Sequence, residues 1–410
     1  MNKLIVFSWI YFISIPVFAQ VLKVDDLTCE YLVAPKGVEA PNPHLSWKIK
    51  STQNDVMQVA YQILVSDRKE DLQSNEGEIW NSNKVVSSQS IQVRFNGRAL
   101  RSGKTYYWKV KIWDNKNNIV WSSISSWQMG LLAAADWKGA YWIAYEKLAD
   151  SNVNILPTDG KKDKNNDNNI LPVFRKEFRV QKIIKKATLF IAGLGHFEAS
   201  LNGKKIGDHF LDAGWTKYDK QALYLTFDLT KQLKLGDNAL GVMLGNGFYY
   251  IPPVKKRYRK LKVAFGYPKM ICKLMIEYSD GTKAVVNSDQ SWKTAPSPIV
   301  FSSVYGGEDY DANLEQKGWD SAGFNAQSWK TPVLVEGPKL SSQKEEPVKV
   351  FESFAPKTTQ SLPNGEWVYD LGQNASGIIE LKVRGRKGDT VRITPAELLK
   401  PDGNVNQAPG

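Results

Sequence analysis

Little sulfur and little histidine run through this chain. Its 410 residues hold two cysteines, Cys29 and Cys272, and three histidines, His44, His196 and His209. Neither cysteine has a C-x-x-C neighbour, so the pattern excludes a disulfide-stapled scaffold and makes a zinc centre improbable. An oxidising compartment would permit a bridge. The two cysteines fall in different predicted domains, however, and are expected as buried free thiols. After the N-terminal leader no apolar run is long enough to span a bilayer. G-x-S-x-G, H-E-x-x-H and G-x-x-x-x-G-K-[ST] are all missing, which removes the hydrolase elbow, the zincin helix and the P-loop. Helical periodicity is scarce, and no internal repeat has a fixed period.

What is present is aromatic and β-patterned. Aromatic residues make up 11%, with 14 Trp and 17 Tyr. That supply suits sandwich cores and sugar-contacting surfaces alike. Segments such as "QVAYQILVSD" (58–67), "SIQVRFNG" (90–97) and "YYWKVKIWDN" (106–115) alternate with the period of half-buried strands. Short strands with turn signals between them predict sandwiches. Leu100 and Tyr106 flank "RSGKT" as a tyrosine corner does, with the hydroxyl free to satisfy a nearby backbone group. Asn202-Gly203 and Asp280-Gly281 predict tight hairpins.

The first residues read as an address. Lys3 precedes the short apolar run "LIVFSWIYFISI", and Val17 and Ala19 stand at small-residue cleavage positions. Residues 1–19 are thus expected to be a secretory signal peptide cut near Ala19. No cysteine lies at the cut to carry a lipid anchor. The product is expected in the periplasm or outside the cell.

Formal charge is +12, one less once Lys3 leaves with the leader. Such a balance suits a polyanion. The secretory address argues against nucleic acid, and an acidic polysaccharide fits better. The positive residues are dispersed apart from "KKRYRKLK" (255–262), which reads as a solvated loop.

Organisation follows from the pattern. Residues 22–132 read as a fibronectin type III-like β-sandwich. Residues 133–172 read as a linker with the aromatic "DWKGAYWIAYE" and the polar loop "TDGKKDKNNDNNI" (158–170). Residues 173–340 read as a second, jelly-roll-like sandwich. From 355 to 410 a further β-domain starts. There "WVYDLGQNASGIIELKVRG" (367–385) predicts a half-buried strand with Ile379, Leu381 and Val383 on one face. "TVRITPAELL" predicts a second strand. The fold class is all-β, in tandem sandwiches.

Three groups of motifs carry a resemblance. They are "LTCEYLVAPKGVEAPNPHLSWKI" with "WSSISSWQMGLL", then "ATLFIAGLGHFEASLNGKKIGDHFLDAGWTKYDK" with "YGGEDYDANLEQKGWD", then "WVYDLGQNASGIIELKVRGRKGDTVRITPAELLKPDG". In that order they resemble the N-terminal part of bacterial α-L-rhamnosidases, inverting glycoside hydrolases that remove terminal L-rhamnose. The resemblance implies that these β-domains precede an (α/α)6 barrel bearing the catalytic carboxylates. Inverting hydrolysis needs an acid and a base roughly 6.5–9.5 Å apart. The chain stops at Gly410, before that barrel, so no catalytic residue is expected here. Glu308, Asp309 and Asp311 in "YGGEDYD" are expected to be structural, as is Glu397. Asn313 stands where the family often has arginine, which weakens an ion pair there.

If a sugar site exists, it is expected on the second sandwich, although core and turn packing is the favoured reading of the residues there. Related rhamnosidase sandwiches include modules that hold rhamnose through calcium, so calcium is the one cofactor the resemblance suggests. An aromatic face and a few fixed oxygens are what such a site needs. "AGWTKYDK" offers Trp215, Tyr218 and Asp219, and "LGNGFYY" offers Asn246, Phe248, Tyr249 and Tyr250. Lys220 beside Asp219 disfavours a calcium cage, and core packing is the competing reading for these residues. The implied partner is a rhamnose-containing glycan. A secreted carbohydrate-binding protein with no hydrolytic role is the alternative, as is a scaffold for a separately encoded catalytic chain.

Overall fold

The computed structural model describes residues 22–158, 170–252, 257–258, 260–386 and 388–406. The leader and most of the polar loop expected at 158–170 lie outside the described residues. Two compact units form, one of residues up to 207 with 211–347, the other of 208–210 with 348 onward.

Alternation builds the first sandwich. Along Thr105–Asp114, Tyr106, Trp108, Val110 and Ile112 turn inward, while Tyr107, Lys111 and Trp113 turn out. That strand lies between Gln58–Ser66 and Ser125–Met129, with Lys36–Val38 and Trp80–Asn81 at the edges. Leu22–Cys29, His44–Ser51 and Val93–Arg94 form the opposing sheet. Trp47, Phe95, Trp108 and Trp127 fill the space between. The Trp47 indole N–H donates to Gln58 Oε1 at 2.9 Å, which satisfies a polar group that burial would otherwise strand. The tyrosine corner forms as expected: the Arg101 N–H donates to Tyr106 Oη at 2.9 Å.

The second sandwich pairs a seven-stranded sheet with a five-stranded one. In the larger sheet Ile184–Leu194 is central, antiparallel to both Lys269–Tyr278 and Gln221–Asp228. Its run "ATLFIAGL" is apolar without alternation because both faces are covered. Ala187, Leu189 and Ile191 face the five-stranded sheet, and Phe190, Ala192 and Leu194 pack under Leu131, Trp142 and Tyr224. Trp142–Ala144, from the stretch read as linker, is itself a strand of this sheet. The Asn202-Gly203 turn joins Phe197–Leu201 to Lys204–Lys205, both turn residues having positive φ. Asp280-Gly281 likewise joins Lys269–Tyr278 to Lys283–Asn287. Cys29 and Cys272 are free and buried, and burial pushes both thiols up.

The two sandwiches meet through a buried tyrosine. Tyr224 Oη accepts from the Leu131 N–H at 2.8 Å and donates to Glu39 Oε1 at 2.9 Å. Gln128 Nε2 donates across the same junction to Thr188 Oγ1 at 2.9 Å. Tyr224→Phe keeps the ring but orphans a buried N–H and removes a donor from Glu39. It is expected to lower unfolding free energy by about 1–3 kcal/mol, measured by urea denaturation. An unchanged midpoint would show that the junction contributes nothing.

Among the described residues the second unit holds three two-stranded ribbons: His209–Phe210 with Val348–Lys349, Thr358–Ser361 with Trp367–Asp370, and Leu398–Leu399 with Val405–Asn406. The strand expected over 378–384 is not formed, and only Leu398–Leu399 of "TVRITPAELL" is in a strand. Ile378, Ile379, Leu381 and Val383 are all exposed. Alternation names two faces, but a strand also needs a partner for its backbone groups, and among the described residues this segment has none.

Candidate carbohydrate-binding site

Three loops of the second sandwich are stitched together at one end. Gly245 N–H donates to His196 O at 2.8 Å, and Phe197 N–H donates to Asp212 O at 2.8 Å. Gly195 makes this approach feasible: a Cβ there would lie 1.9 Å from Asn246 O, so no other residue fits. Asn246 is fully buried, and its Nδ2 donates to Ser302 O at 2.7 Å. That bond ties the hairpin of Ile299–Ser303 and Gly307–Tyr310 to the loop 245–250.

On this frame sits a row of rings. Trp215 stacks on Phe248, with centroids 4.4 Å apart and planes 12° from parallel. Phe248 meets the edge of Tyr305 at 6.2 Å, and Tyr305 meets Tyr258 at 6.0 Å. Trp215 is 67% exposed. One face is held by Phe248, so the open face is the other. Beneath, Tyr218, Tyr249 and Phe265 form a buried cluster with centroids 5.5–5.9 Å apart. Burial pushes the Tyr218 hydroxyl up to about 12 and raises Tyr249 too. Lys269 lies over the Tyr249 ring at 5.5 Å, and burial lowers its ammonium to about 8.

The sequence-selected residues therefore divide. Trp215 presents a surface. Tyr218, Tyr249, Tyr250 and Asn246 are buried and carry the loops from behind. Asp219 follows Tyr218: its Oδ1 is buried with no hydrogen-bond partner among the described residues, and its Oδ2 lies 3.8 Å from Lys220 Nζ. His196 Nδ1 is also buried and unpartnered among the described residues, and burial lowers the ring's pKa. Tyr305 and Tyr258 escaped the sequence reading. They join Phe248 through contacts tens of residues apart, for which no local spacing exists.

The acidic motif disperses. Asp309 pairs with Arg257 Nη2 at 2.6 Å. Asp311 caps the turn Ala312–Leu314, accepting from the Asn313 N–H at 2.9 Å and from its Nδ2 at 2.8 Å. Glu308 is raised by burial, and by Glu198 nearby. Glu397 is exposed in the second unit. No group of three or more His, Cys, Asp and Glu among the described residues could hold a metal ion. Calcium takes six to eight oxygens, and the Trp215 loop supplies one carboxylate with a lysine beside it, so the residues present do not fit that ion. Among the described residues no helix is long and apolar enough to cross a membrane.

Tandem β-sandwiches place the chain in the all-β class. Three family models match in order: the Rha78A-like N-terminal immunoglobulin domain over 24–133, the alpha-L-rhamnosidase N-terminal domain over 182–352, and the bacterial alpha-L-rhamnosidase concanavalin-like domain over 360–409. An alpha-L-rhamnosidase of Formosa agariphila is 36% identical over 379 residues, 90% of this chain and 40% of that protein. The structure of an alpha-L-rhamnosidase from Dictyoglumus thermophilum superposes with a TM-score of 0.73 at 35% identity, covering 86% of this chain and 38% of that one. That of Streptomyces avermitilis alpha-L-rhamnosidase gives 0.79 at 24% identity, over 94% and 52%, and shows the shared fold. The chain belongs to the α-L-rhamnosidase family, as an N-terminal portion of it. It spans about two fifths of the length of that Formosa relative.

Proposed function

We propose that this chain serves a secreted α-L-rhamnosidase as its glycan-engaging β-domains, holding a rhamnose-containing glycan at Trp215. One observation carries the reading: the indole of Trp215 is propped flat by Phe248 and open on its other side. A pyranose packs its C–H face on such a ring, and fixed polar atoms select its hydroxyls. Asp219, in the same loop, offers its less buried oxygen, Oδ2, as an acceptor for one of them. Secretion rests on the leader of residues 1–19.

Hydrolysis is not what these residues are arranged for. Asp309 is committed to Arg257 and Asp311 to a turn. Purified protein of this sequence is therefore expected to bind L-rhamnose without releasing it from aryl rhamnosides. Titration of L-rhamnose, with and without calcium, is followed by Trp fluorescence. Saturation at millimolar sugar that is lost in Trp215→Ala supports the site, and calcium is expected to change nothing. No saturable change in either condition, or binding untouched by Trp215→Ala, sinks it. Turnover that Glu308→Gln abolishes would overturn the non-hydrolytic reading.

A further inference from the structure

The outer face of the first sandwich carries a ladder of lysines and tryptophans. Lys84 Nζ lies 4.7 Å from the Trp113 ring centroid, and Lys111 Nζ lies 5.0 Å from the same ring and 5.5 Å from Trp121. Lys109 Nζ lies 4.3 Å from the Trp121 ring centroid and donates to Asn75 Oδ1 at 2.6 Å. The register explains the row. Lys111 and Trp113 alternate outward on Thr105–Asp114, and Trp121 pairs with Lys111 on the neighbouring strand. Val86 and Ile119, both exposed, flank it.

None of the three ammonium groups has a carboxylate within ion-pair distance among the described residues. The opposite sheet of the same domain differs: there Lys23 and Lys50 pair with Asp25, and Lys48 pairs with Asp26. Here the rings hold the ammonium groups beside them by cation–π attraction, with no compensating carboxylate within ion-pair distance among the described residues.

We propose that this Lys84–Trp113–Lys111–Trp121–Lys109 face is a second docking surface, for an anionic polysaccharide. Lys84 and Lys111 meet successive carboxylates of the polymer, Lys109 holds Trp121 in place, and Val86 and Ile119 meet its C–H surface. A row of like charges raises the local concentration of a polyanion, with a strength that falls as salt screens it. The choice of a polysaccharide over a nucleic acid rests on the secreted reading above. The surface is independent of Trp215.

The test uses polygalacturonate, which tests this face without the rhamnose site. The whole chain is titrated with it and with neutral dextran. Binding is expected for the polyuronate alone, weakening as sodium chloride rises. Lys84→Gln/Lys111→Gln is expected to weaken it about tenfold, or about 1.4 kcal/mol. Lys231→Gln/Lys317→Gln, with the same loss of charge elsewhere, is expected to leave it within about twofold, a shift of roughly 0.4 kcal/mol. Lysine acetylation of the unmutated chain gives a readout that needs no variant: polygalacturonate is expected to protect Lys84 and Lys111. Equal weakening by the two double variants, no polyuronate binding, or no protection of these lysines overturns the proposal. Duplex DNA protecting them at lower concentration than the polyuronate overturns it as well.

Discussion

Amides of residues 378–384 and 390–396 are expected to exchange within seconds, while those of Ile184–Leu194 stay protected at least about a thousandfold longer. The contrast comes from pairing. Ile184–Leu194 gives its backbone groups to strands on both sides and buries side chains on both faces. Exchange there needs opening on the scale of the whole fold. The segment from Ile378 has no ladder and no covered face among the described residues. Hydrogen exchange read by mass spectrometry decides it. Equal protection in the two segments would mean that 378–384 pairs with a sheet, and the description of the second unit would be wrong.

Trp292→Ala is expected to cost about 3–5 kcal/mol, the range for emptying a buried aromatic site. Trp292 is wholly buried in the core shared by the two sheets of the second sandwich. Its indole N–H donates to Asn287 O at 2.8 Å, so the truncation leaves both a cavity and an unpaired carbonyl. Native domains keep about 5–15 kcal/mol in all, so the loss is a large share. Thermal unfolding should show Trp292→Ala melting well below the parent, with Trp215→Ala close to it because Trp215 packs one face only. A parent-like transition for Trp292→Ala would place that side chain outside the core.

The hairpins and the first sandwich were legible because their signals are local. Asn202-Gly203 sets φ by residue type, and Tyr106 corners a strand five residues from the amide that it accepts from. The all-β class follows from the same alternation. The site was legible only in part. "AGWTKYDK" and "LGNGFYY" mark aromatic loops, but polarity alone does not say which ring faces water. Burial of Tyr218 and Tyr249 and exposure of Trp215 are set by Phe265 and Phe248, which reach them through the fold. Alternation misled at 378–384 for a similar reason: period two describes a strand that has a partner, and the partner is not written in the segment itself.

The central claim is that Trp215 is a sugar platform. A crystal of this protein soaked in methyl α-L-rhamnoside tests it most directly. The account expects the pyranose flat on the open face of Trp215, opposite Phe248, with a hydroxyl on Asp219. Sugar bound elsewhere on the sandwich while the Trp215 face stays bare would contradict it.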